Sequence, residues 1–281
     1  MLEAFAGVFA HSLALISDAG HNFADAFALI LAFGAAKIAE SPSTPNRSFG
    51  YHRATILAAL VNALSLVLIS LYIFWEAYRR LGTTETVNSQ LMVGVAFVAL
   101  VLNGAITFFL RNSKEDLNVR SAYVHMLGDA LASIGVIVGG LIILFTGFYW
   151  IDSLVSIIIG FFILYSSWGI LREATDILLE AAPKGLSIAE VEHSIKDVSG
   201  VLAVHDLHVW TISSSMLACS CHVAVSRKTV EDGQQIVKEI VVELANRFHI
   251  EHTTIQVEVE GSDPNELYCV PRTNDRSITF S

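Results

Sequence analysis

Long apolar stretches separated by short polar segments dominate residues 1–170 of the chain. A helix needs about 20 mostly apolar residues to cross the hydrocarbon core of a bilayer, because it rises only about 1.5 Å per residue. Five stretches meet that length, and the loops between them are too short to form domains. The pattern therefore predicts five transmembrane helices, at about Leu13–Lys37, Ala54–Tyr78, Leu91–Leu110, Ser121–Phe145 and Trp150–Ile170.

The first residues, LEAFAGVFA at positions 2–10, are also apolar but too short to span a membrane. We interpret them as the end of a sixth helix whose beginning is missing from this chain. A secretory signal is the alternative, but the segment lacks a basic leading region and a clear cleavage site. Residues 1–170 are accordingly predicted to form a polytopic α-helical membrane domain, a six-helix bundle with a truncated first helix.

The hydrophobic pattern changes after residue 170. A charged linker, residues 171–185, ends at a Pro-Lys-Gly break, and residues 186–261 then alternate between helical and strand periodicity. The order is helix, strand, strand, helix, strand, which predicts a small α+β domain of the ferredoxin-like kind. Residues 262–281 have no periodicity and are predicted to be a flexible tail.

Composition supports a membrane protein and gives its orientation. The chain is 53% hydrophobic and 16% charged, whereas soluble domains carry about 25% charged residues. Basic loop residues cluster on one side of the predicted helices, which by the positive-inside rule puts the carboxyl-terminal domain in the cytoplasm and the helices in the cell (inner) membrane. Only Arg79 and Arg80 fall on the other side; the cytoplasmic set is Lys37, Arg47, Arg53, Arg111, Lys114, Arg120 and Arg172.

The cytoplasmic part is acidic. Residues 171–281 contain 9 Lys and Arg against 17 Asp and Glu, a balance that disfavours nucleic acid as a partner and suits cations. Three cysteines, Cys219, Cys221 and Cys269, lie in this part, where structural disulfides are rare.

Two of the predicted spans carry ionisable residues with the same spacing: His21 and Asp25 in the first, His125 and Asp129 in the fourth. An aspartate at mid-bilayer costs about 2.5 to 3.5 kcal/mol on insertion scales, so such a residue indicates function. Residues four apart share one helix face. Because the two spans run in opposite directions, His21 lies level with Asp129, and Asp25 with His125.

Two imidazoles and two carboxylates meeting at one depth form a tetrahedral ligand set that suits Zn²⁺. Either pair alone could instead be a buried hydrogen-bonding group that joins helices. The duplicated spacing favours a metal site. No His-Glu-x-x-His run or comparable general base is present, so the sequence predicts transport rather than an enzyme.

Two further aspartates near span ends have open roles. Asp18 extends the polar face of the first span, either as a stepping stone for metal or proton or as a cap of that helix. Asp152 is expected to cap the helix in which it lies.

Four stretches resemble the cation diffusion facilitator family of zinc and heavy-metal exporters: SLALISDAGHNFADAFAL, RSFGYHRATILAALVN, AYVHMLGDALASIGV, and VLAVHDLHVWTIS with IEHTTIQVE. The resemblance covers the chain from about Leu2 to Glu260. It implies a homodimer with six spans per protomer, paired cytoplasmic domains, and exchange of Zn²⁺ for protons. The family's His-x-x-x-Asp transport site corresponds to His21, Asp25, His125 and Asp129. Members with His at position 21 resemble zinc-selective transporters, whereas members with Asp there tolerate cadmium more readily.

The resemblance also implies a second metal site in the cytoplasmic domain, formed by His205, His222 and Glu258. Gln256 occupies a position where some members have a ligating histidine, so that ligand is either lost or supplied by His252. From the period of two, His205 and His208 are expected on opposite faces of their strand.

Three other residues allow more than one interpretation. In the loop after the first span, positions matching a further metal site hold Arg47 and Tyr51, which leaves the neighbouring His52 as a metal contact or a solvated residue. Cys219 and Cys221 share a strand face and could bind a soft metal or be buried thiols.

The sequence therefore predicts secondary active efflux of Zn²⁺ from the cytoplasm by proton antiport, with Zn²⁺ also acting as a regulatory ion. A transporter mainly for Cd²⁺, Co²⁺, Fe²⁺ or Mn²⁺ is one alternative. A membrane-bound metal sensor or scaffold that transports nothing is the other.

Overall fold

The computed structural model describes residues 2–82, 86–110, 117–213, 216–226 and 229–259, with the backbone alone at residues 2 and 117–122. The described residues form two compact units. The first lies within Met1–Lys37 and Leu57–Arg172, and the second within Ile38–Ile56 and Glu173–Ser281. The domain limits drawn from the sequence, and the flexible tail at residues 262–281, which lies outside the described residues, stay predictions.

The first unit is helical. Its elements are α1 (Leu2–Ala10), α2 (Leu13–Ala39), α3 (Ala54–Leu81), α4 (Ser89–Leu110), α5 (Leu117–Thr146) and α6 (Trp150–Leu178), of which α2, α3 and α6 run on into the second unit. Within the described part of the chain, five helices, α2 to α6, are long and apolar enough to cross a membrane, so the predicted spans are confirmed. Large apolar side chains on their outer surfaces are exposed, as expected of residues that face lipid, including Phe33, Phe109, Phe145 and Phe162.

Close helix packing in this unit depends on two adjacent glycines of α5. A Cβ atom on Gly139 would come within 2.8 Å of Val155 on α6, and one on Gly140 within 2.7 Å of Val93 on α4. Helices in a membrane gain little from apolar burial against each other, so they associate through such close van der Waals contacts. The glycines allow α5 to approach both neighbours.

The start of α2 is capped from another helix. The Asp152 carboxylate, on α6, accepts hydrogen bonds from the Ser12 hydroxyl at 2.6 Å and from the backbone N–H of Leu13 at 2.6 Å and Ala14 at 3.3 Å. The expectation that Asp152 caps its own helix is wrong, because its side chain is 1% exposed and directed at the free amides of α2. This bond joins residues about 140 positions apart, so local spacing could not reveal it.

The second unit contains a three-stranded sheet with two helices on one face. Its elements are α7 (Ile188–Lys196), β1 (Val201–Ser213), β2 (Met216–Val225), α8 (Val230–Phe248) and β3 (Ile250–Val259), in the predicted αββαβ order. The strand order is β1-β2-β3; β1 and β2 are antiparallel, and β2 and β3 are parallel. Apolar residues of both helices, Val191, Ile195, Ile240 and Leu244, pack on one side of the sheet against strand residues that include Leu207 and Val223.

Residues 38–56, between α2 and α3, belong to this second unit. The Phe49 ring packs edge to face on His252 of β3, with centroids 5.4 Å apart. Arg53 forms an ion pair of 3.1 Å with Glu180, in the segment that follows α6. The loop therefore contacts the carboxyl-terminal sheet domain directly.

The Asp152 cap predicts a stability effect. Asp152→Ala leaves a buried hydroxyl and two buried amides without their acceptor, a change worth about 1 to 3 kcal/mol. We expect the temperature at which the detergent-purified protein loses its monodisperse size-exclusion peak to fall clearly, with a smaller fall for Ser12→Ala. Ser65→Ala, which removes an exposed hydroxyl bonded within its own helix at 2.8 Å, should melt like the parent. Equal melting of Asp152→Ala and the parent would show that the cap contributes nothing.

Candidate metal centres

The helical unit brings together the four intramembrane residues singled out from the sequence. His21 and Asp25 lie one turn apart on α2, and His125 and Asp129 one turn apart on α5. The Asp25 carboxylate is 3.5 Å from His21 Nε2 and 3.3 Å from His125 Nε2. The Asp129 carboxylate is 3.7 Å from each of the same two nitrogens. Each carboxylate therefore faces both imidazoles.

These distances fit a tetrahedral ion. A tetrahedron with metal–ligand bonds of about 2.0 to 2.1 Å has edges of about 3.3 Å, and the four separations run from 3.3 to 3.7 Å. Asp25 faces both imidazoles with one oxygen, whereas Asp129 faces His21 with Oδ1 and His125 with Oδ2. One ligand atom from each of His21, His125 and Asp129 lies within 4.8 Å of the others. Asp129 is the buried member of the cluster, at 4% exposed, whereas the His125 side chain is 43% exposed.

Unsatisfied atoms in this cluster are consistent with a cation. Asp25 Oδ2 and His21 Nδ1 are both buried, and neither has a hydrogen-bond partner. Buried polar atoms in proteins are almost always hydrogen-bonded, so an orphaned carboxylate oxygen between two imidazoles calls for another positive group. The donor set of two nitrogens and two oxygens can bind a divalent transition metal.

Polar residues also extend from this cluster toward α1. Asp18 is 3% exposed and lies in electrostatic range of Asp129, but it is not among the close ligand atoms. Glu3 on α1 accepts a hydrogen bond of 2.9 Å from the Asn22 side chain, next to His21. Glu3 was not among the residues predicted from the sequence, although a lone carboxylate in the apolar run LEAFAGVFA was a visible signal.

The sheet domain holds a second cluster, formed by His205 on β1, His222 on β2 and Glu258 on β3. The strand register places His205 opposite His222. His205 Nε2 is 3.2 Å from one Glu258 oxygen, and His222 Nδ1 is 3.0 Å from the other. All three side chains lie on the sheet face away from α7 and α8.

The atoms of this second cluster are also orphaned. His205 Nε2, His222 Nδ1 and Glu258 Oε2 are buried without hydrogen-bond partners. The residues therefore fit a metal ion, with two imidazole nitrogens and one carboxylate directed at a common point.

The residues beside the second cluster, for which the sequence left alternatives open, make contacts of their own. The Gln256 amide donates a hydrogen bond of 2.7 Å to Glu258, so it orients that carboxylate. His252 packs on Phe49, and neither His252 nor His52 belongs to a close group of ligand atoms among the described residues.

The expectation for His208 is wrong. The ladder pairs His205 with His222 but His208 with Ser220, so β1 has one extra residue between them. Side chains of directly opposed residues share a face, and this bulge therefore turns His208 to the same face as His205. The period of two fails wherever a strand bulges.

Cys219 and Cys221 lie on the opposite, helix-covered face, and both are 1% exposed. A hydrogen bond with Cys221, together with burial, raises the pKa of the Cys219 thiol, so this thiol stays protonated. The pair behaves as part of the apolar core. Cys269 lies outside the described residues.

Comparisons with known proteins assign both parts of the chain to described families. Residues 1–179 match the family described as cation efflux transmembrane domain, and residues 183–260 match the one described as cation efflux protein, cytoplasmic domain. The chain is 36% identical over 277 residues to the cadmium, cobalt and zinc/H⁺-K⁺ antiporter of Bacillus subtilis, covering 97% of this chain and 89% of that protein.

Two further relatives are also named as transporters. Identity is 40% to the metal cation efflux system protein CzcD of Cupriavidus metallidurans, over 92% of this chain and 81% of the relative. The chain is 36% identical to the zinc transporter ZitB of Escherichia coli, over 92% of this chain and 83% of that relative. The solved metal-bound carboxyl-terminal domain of CzcD is 36% identical and covers 26% of this chain and 99% of its own, with a TM-score of 0.24.

These matches span nearly the whole chain at well over 30% identity, and they confirm the resemblance seen in the sequence. The apolar helices and the cytoplasmic-domain match agree on the placement in a membrane. The chain belongs to the cation efflux family, the cation diffusion facilitators, and is a multi-pass membrane protein of metal efflux with a cytoplasmic carboxyl-terminal domain.

Proposed function

We propose that the protein exports Zn²⁺ from the cytoplasm in exchange for protons. The transport site is His21, Asp25, His125 and Asp129. The observation that carries this proposal is the set of four nitrogen-to-oxygen distances of 3.3 to 3.7 Å, two of them between α2 and α5, which are close to the edges of a zinc tetrahedron.

Proton exchange is a consequence of this ligand set. Zn²⁺ binds only deprotonated ligands, so loading expels protons and protonation of the same groups releases the metal. Histidine titrates near neutral pH and is therefore suited to such an exchange. The Bacillus subtilis relative is named as a proton and potassium antiporter, which supports coupling of this kind.

The cytoplasmic domain supplies a regulatory site in this proposal. His205, His222 and Glu258 would bind a Zn²⁺ ion that links three strands and is not transported. The cytoplasmic domains pair in a homodimer, and the ion stabilises the domain in the form that favours transport. Asp18 lies one turn on the outer side of His21 and serves the exit path for metal or protons.

Loss of a transport ligand should abolish transport. We expect Asp129→Asn and His21→Ala to lower the initial rate of ⁶⁵Zn uptake into everted membrane vesicles by at least about tenfold. Loss of a residue that only hydrogen-bonds to a metal ligand already costs about 10- to 100-fold in affinity, and these substitutions remove the ligands themselves.

The matched control is His11→Asn, an exposed residue between α1 and α2 with a left-handed φ of 54° that asparagine tolerates. It should transport like the parent. A protein that binds zinc but accumulates none in vesicles, with or without Asp129, would be a sensor and not an exporter.

Proton coupling predicts a pH change inside the vesicles. In everted vesicles the bath corresponds to the cytoplasm, so Zn²⁺ entry should drive protons out and raise the lumenal pH reported by a trapped dye. Asp129→Asn vesicles should show no such rise. Zinc uptake that continues at the full rate without any lumenal pH change, or that depends on lumenal K⁺ alone, would contradict proton antiport.

Metal preference follows from the ligand types. Two imidazoles and two carboxylates at tetrahedral spacing suit Zn²⁺, whereas Mn²⁺ and Mg²⁺ prefer octahedral oxygen sites. At equal free concentration, unlabelled Zn²⁺ should compete with ⁶⁵Zn uptake more strongly than Cd²⁺, Co²⁺, Fe²⁺ or Mn²⁺. Stronger inhibition by any of these four would assign the transporter to that metal instead.

A further inference from the structure

Asp206 has an unusual backbone conformation inside a strand. Its φ is +49°, in the left-handed region, and it lies at the bulge between His205 and His208. Among the described non-glycine residues, the others with positive φ, His11, Glu180 and His249, follow helix ends. Such a conformation persists only where the surroundings fix it, and in strands or loops it often marks a functional position.

The bulge directs the Asp206 carboxylate at two histidines. One oxygen is 2.9 Å from Nε2 of His208, which is half exposed, and the other is 3.7 Å from Nε2 of His222. Asp206 itself is partly buried, with a side chain 25% exposed. The contact with His208 restrains the carboxylate on the side away from the cluster.

His222 consequently lies between two carboxylates. Its Nδ1 faces Glu258 at 3.0 Å and is buried without a hydrogen-bond partner, while its Nε2 faces Asp206. A neutral imidazole carries a proton on one nitrogen and a lone pair on the other. The Asp206 carboxylate is 3.7 Å from Nε2, beyond hydrogen-bond length but close enough to act electrostatically, and it favours the proton on that nitrogen. The lone pair is then left on Nδ1, which faces Glu258 and makes no hydrogen bond to it.

We propose that Asp206 is the positioning residue of the cytoplasmic metal site: it fixes the tautomer and the ring orientation of His222 so that Nδ1 is ready to bind a divalent cation. Metal-binding histidines usually donate their second N–H to such a carboxylate, which also makes the ligand more basic. This inference rests on the proposed regulatory site of His205, His222 and Glu258.

A purely structural role for Asp206 makes the opposite prediction. If the residue were chosen only for its left-handed backbone, Asp206→Gly would be at least as good, because glycine adopts positive φ without strain. Asp206→Asn also tolerates this conformation but carries no charge. The two variants therefore separate the carboxylate from the backbone.

The experiment measures Zn²⁺ affinity of the full-length protein in detergent by competition with a chromophoric chelator. The background protein and all variants carry His21→Ala and Asp129→Asn, so that only the cytoplasmic site is titrated. We expect the dissociation constant to be lowest for the background protein, higher for Asp206→Asn and highest for Asp206→Gly, whose loss of affinity should be about 10- to 100-fold.

The control is Asp197→Asn, which removes the same charge from another aspartate–histidine pair, Asp197 and His193 at 3.0 Å, away from the cluster. It should bind Zn²⁺ like the background protein. At saturation with Co²⁺, the visible absorption bands of Asp206→Gly should match those of the background, because its ligands are unchanged. A shifted band would make Asp206 a direct ligand and overturn the positioning role.

Two failures are distinguishable. Should His222→Ala and Glu258→Ala bind Zn²⁺ as tightly as the background, the proposed regulatory site itself is wrong. Should those two lose binding while Asp206→Gly keeps it, the site stands and the inference about Asp206 is overturned. Equal melting temperatures of Asp206→Gly, Asp206→Asn and the background protein exclude a folding defect as the cause.

Discussion

Burial of two carboxylates and two imidazoles among membrane-spanning helices is the constraint on which the first unit depends. Each such group is costly in lipid, and the cost is offset only when the four side chains face one another, as they do between α2 and α5. The glycines of α5 bring this helix close to α4 and α6, and Asp129 of the same helix is buried.

The same principle operates in the cytoplasmic domain with different elements. There the side chains of the cluster come from three adjacent strands, and the sheet register, rather than the helical repeat, aligns them. Positions 171–281 hold 17 acidic against 9 basic residues, a balance that favours cations over anions near this domain. Gln256 donates a hydrogen bond to Glu258, and Asp206 lies 3.7 Å from His222.

Much of the fold and of the intramembrane cluster could be predicted from the sequence, because both depend on local periodicity. About twenty apolar residues indicate a span, and a spacing of four puts His21 and Asp25 on one face. What could not be predicted depends on contacts between distant segments. Asp152 caps α2 rather than its own helix, and Glu3 of α1 accepts a hydrogen bond from Asn22 of α2. An extra residue in β1 puts His208 on the same face as His205, not on the predicted opposite face.

Hydrogen bonds hold the outer end of α2 in place, and this determines how a tilt of the helix would move His21. Asp152 holds its first amides, and Arg80, itself bound by Glu76, holds the carbonyl of His11 just before it. His21 lies eight residues further, about 12 Å along the axis. A tilt of about 10° around the fastened end displaces His21 by about 2 Å, the length of one zinc–nitrogen bond. A small tilt of α2 about this end would therefore change the distances from His21 to Asp25 of its own helix little, but those to His125 and Asp129 of α5 by a bond length.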